Sequence, residues 1–223
     1  MGEYTSVGPL GINAPSQLSP SLLTLTAPAP TGTTGLASQP AQTSASLGEK
    51  VLQFATSKLN TKVGRGECWD LAEEALKVAG AKTSNDYGKV KADSDYVWGL
   101  KVELASVQAG DIIQFRNYKV TLTKTTQTSE GIDTQSKEIE RPHHTAIVEK
   151  LNKDGSIQVI EQNIEAEYAS ANFDTPDGAN LLVRRSKLYF SNSTTTSEQN
   201  SEKITLKIEV TGKFWFYRPQ LKP

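Results

Sequence analysis

The apolar residues of this chain change their spacing once, from a helical period before residue 80 to a strand period after residue 110. Ser46-Leu47-Gly48-Glu49 has the spacing of a capping box, and apolar residues recur three or four positions apart from there to about Asn60. A second helical pattern spans Cys68 to Ala79 and precedes Gly80, a residue type that commonly ends helices. Short β-branched or alternating runs follow at 111–115, 145–148, 157–160 and 214–217. Helices followed by such strands predict an α+β domain whose helices pack on an antiparallel sheet.

Residues 1–45 have a different composition, rich in Pro, Ser, Thr, Gly and Ala. Such a segment buries too little apolar surface to offset its chain entropy, so the composition predicts a disordered tail, which could tether the chain to a partner or a delivery apparatus. The folded domain is therefore expected to span residues 46–223. Two polar stretches near 117–141 and 191–202 interrupt the strand patterns and are interpreted as surface hairpins or loops.

The balance of charge and the distribution of apolar residues argue against several classes of protein. Lys and Arg number 24 against 25 Asp and Glu, so the chain lacks the excess of cations that nucleic-acid binding uses. No segment reaches the ~20 consecutive apolar residues that span a bilayer, and the first residues lack the basic and apolar regions of a secretion signal. We therefore expect synthesis in the cytoplasm, and nothing in the sequence argues against a monomer. Action outside the cell would need phage lysis or a dedicated secretion system.

The chain contains one cysteine, Cys68, which excludes an intrachain disulfide and a thiolate-rich zinc site. A lone cysteine is commonly a small buried hydrophobe. Cys68, however, opens the second helical pattern, where the helix dipole and free backbone N–H groups favour a thiolate. Gly64 and Gly66 permit an exposed approach to that helix, whereas the neighbouring Glu67 slightly disfavours the thiolate. Cys68 is thus a candidate nucleophile, and its own N–H a candidate oxyanion donor.

A thiol nucleophile needs a base, and the only two histidines, His143 and His144, stand side by side at the start of a strand pattern. Because side chains alternate along a strand, at most one of them can address Cys68. The next strand pattern ends near Glu161 and Asn163, two positions expected on one face of the strand. Either side chain could accept a hydrogen bond from Nδ1 of the base and so fix its tautomer.

Four short motifs together resemble, in order and spacing, the CHAP amidase/peptidase family and its NlpC-type relatives, which share the papain-like fold. The motifs are Gly66-Glu67-Cys68-Trp69, Ala109 to Phe115, His144-Thr145-Ala146-Ile147-Val148 and Glu161-Gln162-Asn163. The resemblance implies that Cys68 is the nucleophile and that His144 is the general base and then acid. It further implies that Glu161 orients His144 and that Asn163 gives polar support. A peptidoglycan peptide or amide bond is the substrate that the resemblance implies.

The run Gly-Glu-Cys-Trp-Asp-Leu-Ala, residues 66–72, is also similar to papain-fold domains at the ends of fungal actin-patch adaptor proteins. Two alternatives to a peptidoglycan hydrolase therefore stay open. One is a papain-fold interaction module with little or no catalysis, and the other is an intracellular cysteine peptidase or deconjugating enzyme.

No cofactor or metal is expected. Asp93-Ser94-Asp95 offers two carboxylates, but the other spaced ligands of a calcium loop are missing, so the segment is interpreted as a solvated turn. Trp69, Trp98 and Trp215 are interpreted as packing residues of the core or sheet rather than as platforms for a substrate.

Overall fold

A computed structural model describes residues 45–91, 93–164, 179–199 and 201–223, all within the compact unit Thr43–Pro223. The tail expected for residues 1–45 therefore lies, except for residue 45, outside the described residues. The two α-helices of the described part are α1, Leu47–Ser57, and α2, Cys68–Ala79. No helix among the described residues is both long enough and apolar enough to cross a membrane.

Both helices begin or end at the signals that the sequence carries. The capping box of α1 is present: the Ser46 hydroxyl accepts the N–H of Glu49, and the Glu49 carboxylate accepts the N–H of Ser46. α2 ends at Gly80, which has the left-handed φ of 76°. α1 stops before the expected Asn60, because Asn60 itself has a positive φ of 60° and cannot continue a helix.

Within the described ranges, seven strands form one antiparallel sheet. They are β1 (Leu100–Val102), β2 (Ile112–Gln127), β3 (Ile132–Leu151), β4 (Ile157–Glu161), β5 (Arg184–Leu188), β6 (Ser193–Gln199) and β7 (Glu202–Arg218). The order across the sheet is β1-β7-β2-β3-β4-β5, and β6 pairs with the outer part of β7. Two helices on an antiparallel sheet agree with the expected α+β architecture.

The helices cover one face of the central strands. Neighbouring residues of β2 divide between the two faces: Ile112 packs with the helices, and Ile113 joins a second apolar cluster on the opposite face. Trp98 is fully buried in the cluster beneath the helices, and Trp215 packs against that cluster, as expected; Trp69 packs against it too but also lines the cavity described below. This packing seats the first turn of α2 against β3, which positions the site described below.

The two polar stretches extend the sheet rather than interrupt it. Segment 117–141 supplies the outer halves of β2 and β3, and segment 191–202 supplies β6 and the first residue of β7. Four strands thus run side by side in the order β3-β2-β7-β6 beyond the part that the helices cover. Threonines pair across them, as in Thr125 with Thr134 and Thr196 with Thr205. A register shift in β2 between Arg116 and Lys119 marks where this extension begins.

Candidate active site

The loop before α2 presents Cys68 at the first position of the helix. The buried Asp70 shapes this loop, because its carboxylate accepts the backbone N–H of Arg65 at 2.7 Å and that of Glu67 at 3.3 Å. Gly64 lies against the same carboxylate with a φ of 56°, a conformation that glycine adopts without a steric penalty. The result is a tight turn that leaves the Cys68 side chain only partly buried.

Cys68 and His144 form the centre of the site. His144 lies on β3, almost fully buried, and its ring contacts the Cys68 thiol. Burial alone would raise the pKa of Cys68, but the His144 ring and a hydrogen bond from the backbone of Thr145 outweigh it and lower that pKa below its ordinary value. The adjacent Glu67 opposes this change, as expected from the sequence. The His144 ring and the Thr145 backbone thus shift Cys68 toward the thiolate, the nucleophilic form of cysteine.

Glu161, the last residue of β4, lies on the other side of the His144 ring. Its Oε2 is 2.9 Å from the Nε2 of His144, whereas the sequence analysis expected this contact through Nδ1. The Nε2–H does not point straight at the oxygen, so the contact is a close ion pair rather than a linear hydrogen bond.

Arg141 completes this arrangement, and the sequence analysis missed it. Its Nε lies 2.9 Å from Oε2 of Glu161 and its Nη2 lies 2.6 Å from Oε1, so the guanidinium grips both carboxylate oxygens. Regular alternation along β3 would place Arg141 and His144 on opposite faces. The pairing of β2 with β3 is interrupted at Pro142, which has no N–H, opposite Asn117, which has a φ of 51°. This irregularity brings both side chains to Glu161.

The charges of the buried group determine its protonation. Burial alone would raise the pKa of Glu161, but Arg141 and His144 outweigh it and hold that pKa well below its usual range. Burial alone would lower the pKa of His144, but the Cys68 thiolate and the Glu161 carboxylate raise it to about 9. These shifts all favour the ionised forms, the thiolate of Cys68, the imidazolium of His144 and the carboxylate of Glu161.

Asn163 lies beside the site but does not touch His144. β4 ends at Glu161, and Asn163 follows in a left-handed conformation with a φ of 62°, so the expected common face is absent. Its Nδ2 donates instead to Oε2 of Glu67 at 2.9 Å. The fully buried Gln162 between them, a second residue that sequence reasoning missed, hydrogen-bonds the backbone of Val63 and Glu67 and thereby holds the loop before Cys68.

A cavity of about 600 Å³ opens over Cys68. Its lining mixes aromatic, amide and charged side chains: Arg65, Glu67, Trp69, Asn85, Val90, Lys91, Asp93, Tyr96, His143, His144 and Asn163. His143 contributes to one wall, but its Nε2 contacts the carbonyl oxygen of Ser94 at 2.7 Å and its ring packs on Tyr96, so it is engaged away from the thiol. A volume of this size lies within the range of ligand-binding clefts.

Arg116 organises the wall of this cavity at Asp93-Ser94-Asp95. Its guanidinium pairs with the carboxylates of Asp93 and Asp95 and donates to the carbonyl of Asp93. In the described ranges, no group of three or more His, Cys, Asp and Glu side chains is placed to hold a metal ion. The acidic segment is thus an ion-paired turn built around Arg116.

A cysteine that opens a helix, packed against an antiparallel sheet that supplies a histidine and its carboxylate partner, defines the papain-like class of fold. Within that class, the chain belongs to the family described as the AIM3/BBC1 cysteine proteinase-fold domain, which matches residues 28–220. This membership confirms the similarity to the papain-fold domains of actin-patch adaptor proteins. No curated protein and no solved structure matches the chain.

Proposed function

We propose that this chain is a cysteine-dependent amide hydrolase, an amidase or peptidase. The observation that carries the proposal is the contact of the Cys68 thiol with the ring of His144, whose Nε2 lies 2.9 Å from Glu161. The lowered pKa of Cys68 and the raised pKa of His144 favour the thiolate, which is the nucleophilic form of cysteine. The partial exposure of Cys68 in a cavity gives a substrate access to it.

In the proposed reaction, the Cys68 thiolate adds to the carbonyl carbon of an amide. The backbone N–H of Cys68, at the start of α2, donates to the developing oxyanion. The His144 imidazolium gives its proton to the leaving amine as the C–N bond breaks, which leaves a thioester. Neutral His144 then takes a proton from a water molecule that attacks the thioester, and the carboxylic acid product departs as the thiolate reforms. Glu161 holds the His144 ring throughout.

The size and lining of the cavity favour a peptide-like substrate over a small free amide. It offers about 600 Å³, with the apolar Trp69 and Tyr96 and the polar Asn85 among its walls. A peptidoglycan bond stays a prediction from the CHAP resemblance. Protein peptide bonds and isopeptide conjugates are the alternatives on the same chemistry.

The first test is the pH dependence of Cys68 alkylation by iodoacetamide, followed by intact mass. We expect reaction to persist well below the free-thiol pKa of about 8.5, and His144→Ala to return the profile to that of a free thiol. His143→Ala is the matched control, since its ring contacts Ser94 rather than the thiol, and it should keep the wild-type profile. A Cys68 that reacts only above that pKa, or is indifferent to His144→Ala, would overturn the proposal.

A positive result leads to substrate assays with the Cys68→Ala variant as the blank. Purified cell wall, unmodified peptides and isopeptide-linked conjugates form the three arms. Release of new amines from cell wall alone would support the peptidoglycan prediction, and release from peptides or conjugates alone would support the peptidase or deconjugating alternative.

A second candidate function, a papain-fold interaction module, is favoured by the outer sheet extension. Its four strands carry mostly polar side chains, and β6 is exposed along its whole length. An open strand edge of this kind can accept a strand from another chain. The module predicts an unreactive Cys68 together with partner binding that is lost when β6 is altered, so the alkylation test separates it from the hydrolase.

A further inference from the structure

Arg141 is the one cation in direct contact with the Glu161 carboxylate besides His144, as far as the described residues extend. Its side chain is buried like that of Glu161, and the two are joined by contacts of 2.9 and 2.6 Å. Its Nη1 donates to the carbonyl of Glu140 at 2.7 Å, which anchors the guanidinium to its own strand. A planar guanidinium held at three points fixes a carboxylate in both position and direction.

The net charge of the Glu161–Arg141 pair determines how strongly the His144 imidazolium holds its proton. An isolated buried carboxylate next to an imidazole holds the imidazolium proton strongly, because attraction between opposite charges is large in a poorly hydrated site. A carboxylate neutralised by a guanidinium attracts that proton less. General acid catalysis benefits, since the proton must leave His144 for the departing amine.

We propose that Arg141 is a positioning residue of the site, which makes Glu161 a fixed and net-neutral acceptor behind His144. The inference rests on the hydrolase function proposed above only for its consequence in catalysis. The environment of His144 itself can be measured in a protein that has no nucleophile. The failure of one proposal is thereby distinguishable from the failure of the other.

In the part of the chain that the structure describes, four titratable or charged groups lie around the His144 ring and its acceptor. Cys68 faces the ring from α2, Glu161 from β4, and Arg141 and Tyr118 lie beside Glu161 on β3 and β2. The Tyr118 hydroxyl donates to the carbonyl of Tyr189 at 2.6 Å, and burial raises its pKa, so it stays neutral. With Cys68 replaced, Glu161 is the charged group next to His144 among the described residues, and Arg141 is the cation that grips it.

The experiment measures the pKa of His144 by NMR of the imidazole C–H groups in the Cys68→Ala background. The chain has only two histidines, and His143→Gln assigns the signals. We expect Arg141→Met to raise the pKa of His144 and Glu161→Gln to lower it, each by roughly 1–3 units, because each leaves one uncompensated charge next to the ring. The Arg141→Met/Glu161→Gln double variant, neutral again, should return the value toward that of the parent.

Two further comparisons keep the test decisive if Arg141→Met does not fold. The double variant should have a higher His144 pKa than Glu161→Gln alone, which measures the effect of the guanidinium without a bare buried carboxylate. Arg141→Lys keeps the cation but loses the two-point grip, so the pKa should stay near that of the parent. In the protein that retains Cys68, Arg141→Lys should slow alkylation of Cys68 near neutral pH, because Glu161 then holds the His144 ring less firmly beside the thiol.

The inference is overturned if the His144 pKa is the same in Glu161→Gln and in the double variant, or if Arg141→Met leaves it unchanged. If the His144 pKa is unchanged in this way while wild-type Cys68 is still alkylated at low pH, the role of Arg141 is disproved and the hydrolase proposal is retained. If the His144 pKa rises in Arg141→Met and falls in Glu161→Gln while Cys68 is unreactive, the role of Arg141 is retained and the hydrolase proposal is disproved.

Discussion

The Nδ2 of Asn163 donates to Oε2 of Glu67 at 2.9 Å and so ties the residue after β4 to the residue before the nucleophile. Asn163 adopts a φ of 62°, which asparagine tolerates better than most residues because its short polar side chain can bond locally. The contact fixes a carboxylate beside Cys68, and that carboxylate opposes the thiolate. The amide expected to support His144 thus acts on the loop at the rim of the cavity instead.

The variant Asn163→Gly tests whether the Asn163 side chain supports His144 or only holds the loop before Cys68. Glycine removes the amide but keeps the left-handed backbone, so it tests the side chain without backbone strain. We expect the rate of Cys68 alkylation to change by less than about fivefold at any pH, as suits an exposed hydrogen bond worth about 1 kcal/mol. A loss comparable to that of His144→Ala would place Asn163 in the reacting group and contradict this assignment.

The titration of Cys68 and His144 predicts how stability varies with pH. The pKa of Cys68 is lowered on folding, so its contribution is present above the unfolded value of about 8.5 and is lost as pH falls through the folded value. The pKa of His144 is raised to about 9, so its contribution is present below the unfolded value of about 6.5 and is lost as pH rises through the folded one. The contribution of His144 to the free energy of unfolding should therefore decline as pH rises from about 6.5 to 9, whereas the contribution of Cys68 should decline as pH falls below about 8.5.

Urea unfolding at a series of pH values measures this contribution. The reference is the Cys68→Ala/His144→Ala double variant, because subtracting its free energy of unfolding removes the titration of the other groups. A difference that does not vary with pH would contradict the coupled thiolate–imidazolium pair.

The elements that the sequence predicts correctly depend on local patterns. The capping box of α1 and the glycine after α2 depend on side-chain and backbone chemistry within one turn. Cys68 begins α2, Glu161 ends β4, and His144 lies within the neighbouring strand β3. The helix signals need no knowledge of how distant segments pack, whereas the grouping of these three residues was implied by the resemblance to papain-like enzymes.

The residues that the sequence does not reveal depend on irregular backbone. Arg141 reaches Glu161 only because the pairing of β2 with β3 breaks at Pro142, and strict alternation would send it away. Asn163 leaves the expected face because β4 ends at Glu161. The ion pairs of Arg116 could not be predicted either, because its partners lie more than twenty residues earlier, on an irregular segment. Spacing along the chain carries no signal for contacts of this kind.

Gly64 offers a test of the loop that presents Cys68. A methyl group there would lie 2.8 Å from the Asp70 carboxyl carbon, in addition to the cost of a φ of 56°. Gly80→Ala is the matched control, because Gly80 has a φ of 76° but nothing within 4 Å of an added methyl group. In urea unfolding, we expect Gly80→Ala to lower the free energy of unfolding by about 1 kcal/mol and Gly64→Ala to lower it by about 1–3 kcal/mol more. Only Gly64→Ala should also slow Cys68 alkylation, and equal effects of the two would contradict a role of Asp70 in shaping the loop.

Gln162 provides the sharpest test of the buried support beneath the nucleophile. Its Oε1 accepts the N–H of Val63 at 2.8 Å, and its Nε2 donates to the carbonyls of Val63 and Glu67 at 3.0 and 2.9 Å. Gln162→Glu keeps the shape but replaces the donor with a carboxylate oxygen that faces two carbonyls. We expect a loss of about 2–4 kcal/mol in the free energy of unfolding near neutral pH, since two buried acceptors lose their partner.

The loss in Gln162→Glu should depend on pH with a defined sign. Burial and the facing carbonyls raise the pKa of the introduced carboxyl group on folding, and its protonated form donates one hydrogen bond again. A raised folded pKa means that the unfolded state gives up its proton first as pH rises, so the variant should recover stability as pH falls toward about 5. The exposed Gln127 supplies the control, because Gln127→Glu changes the net charge equally without burial. If both variants unfold at the same urea concentration, Gln162 does not hold the loop that presents Cys68.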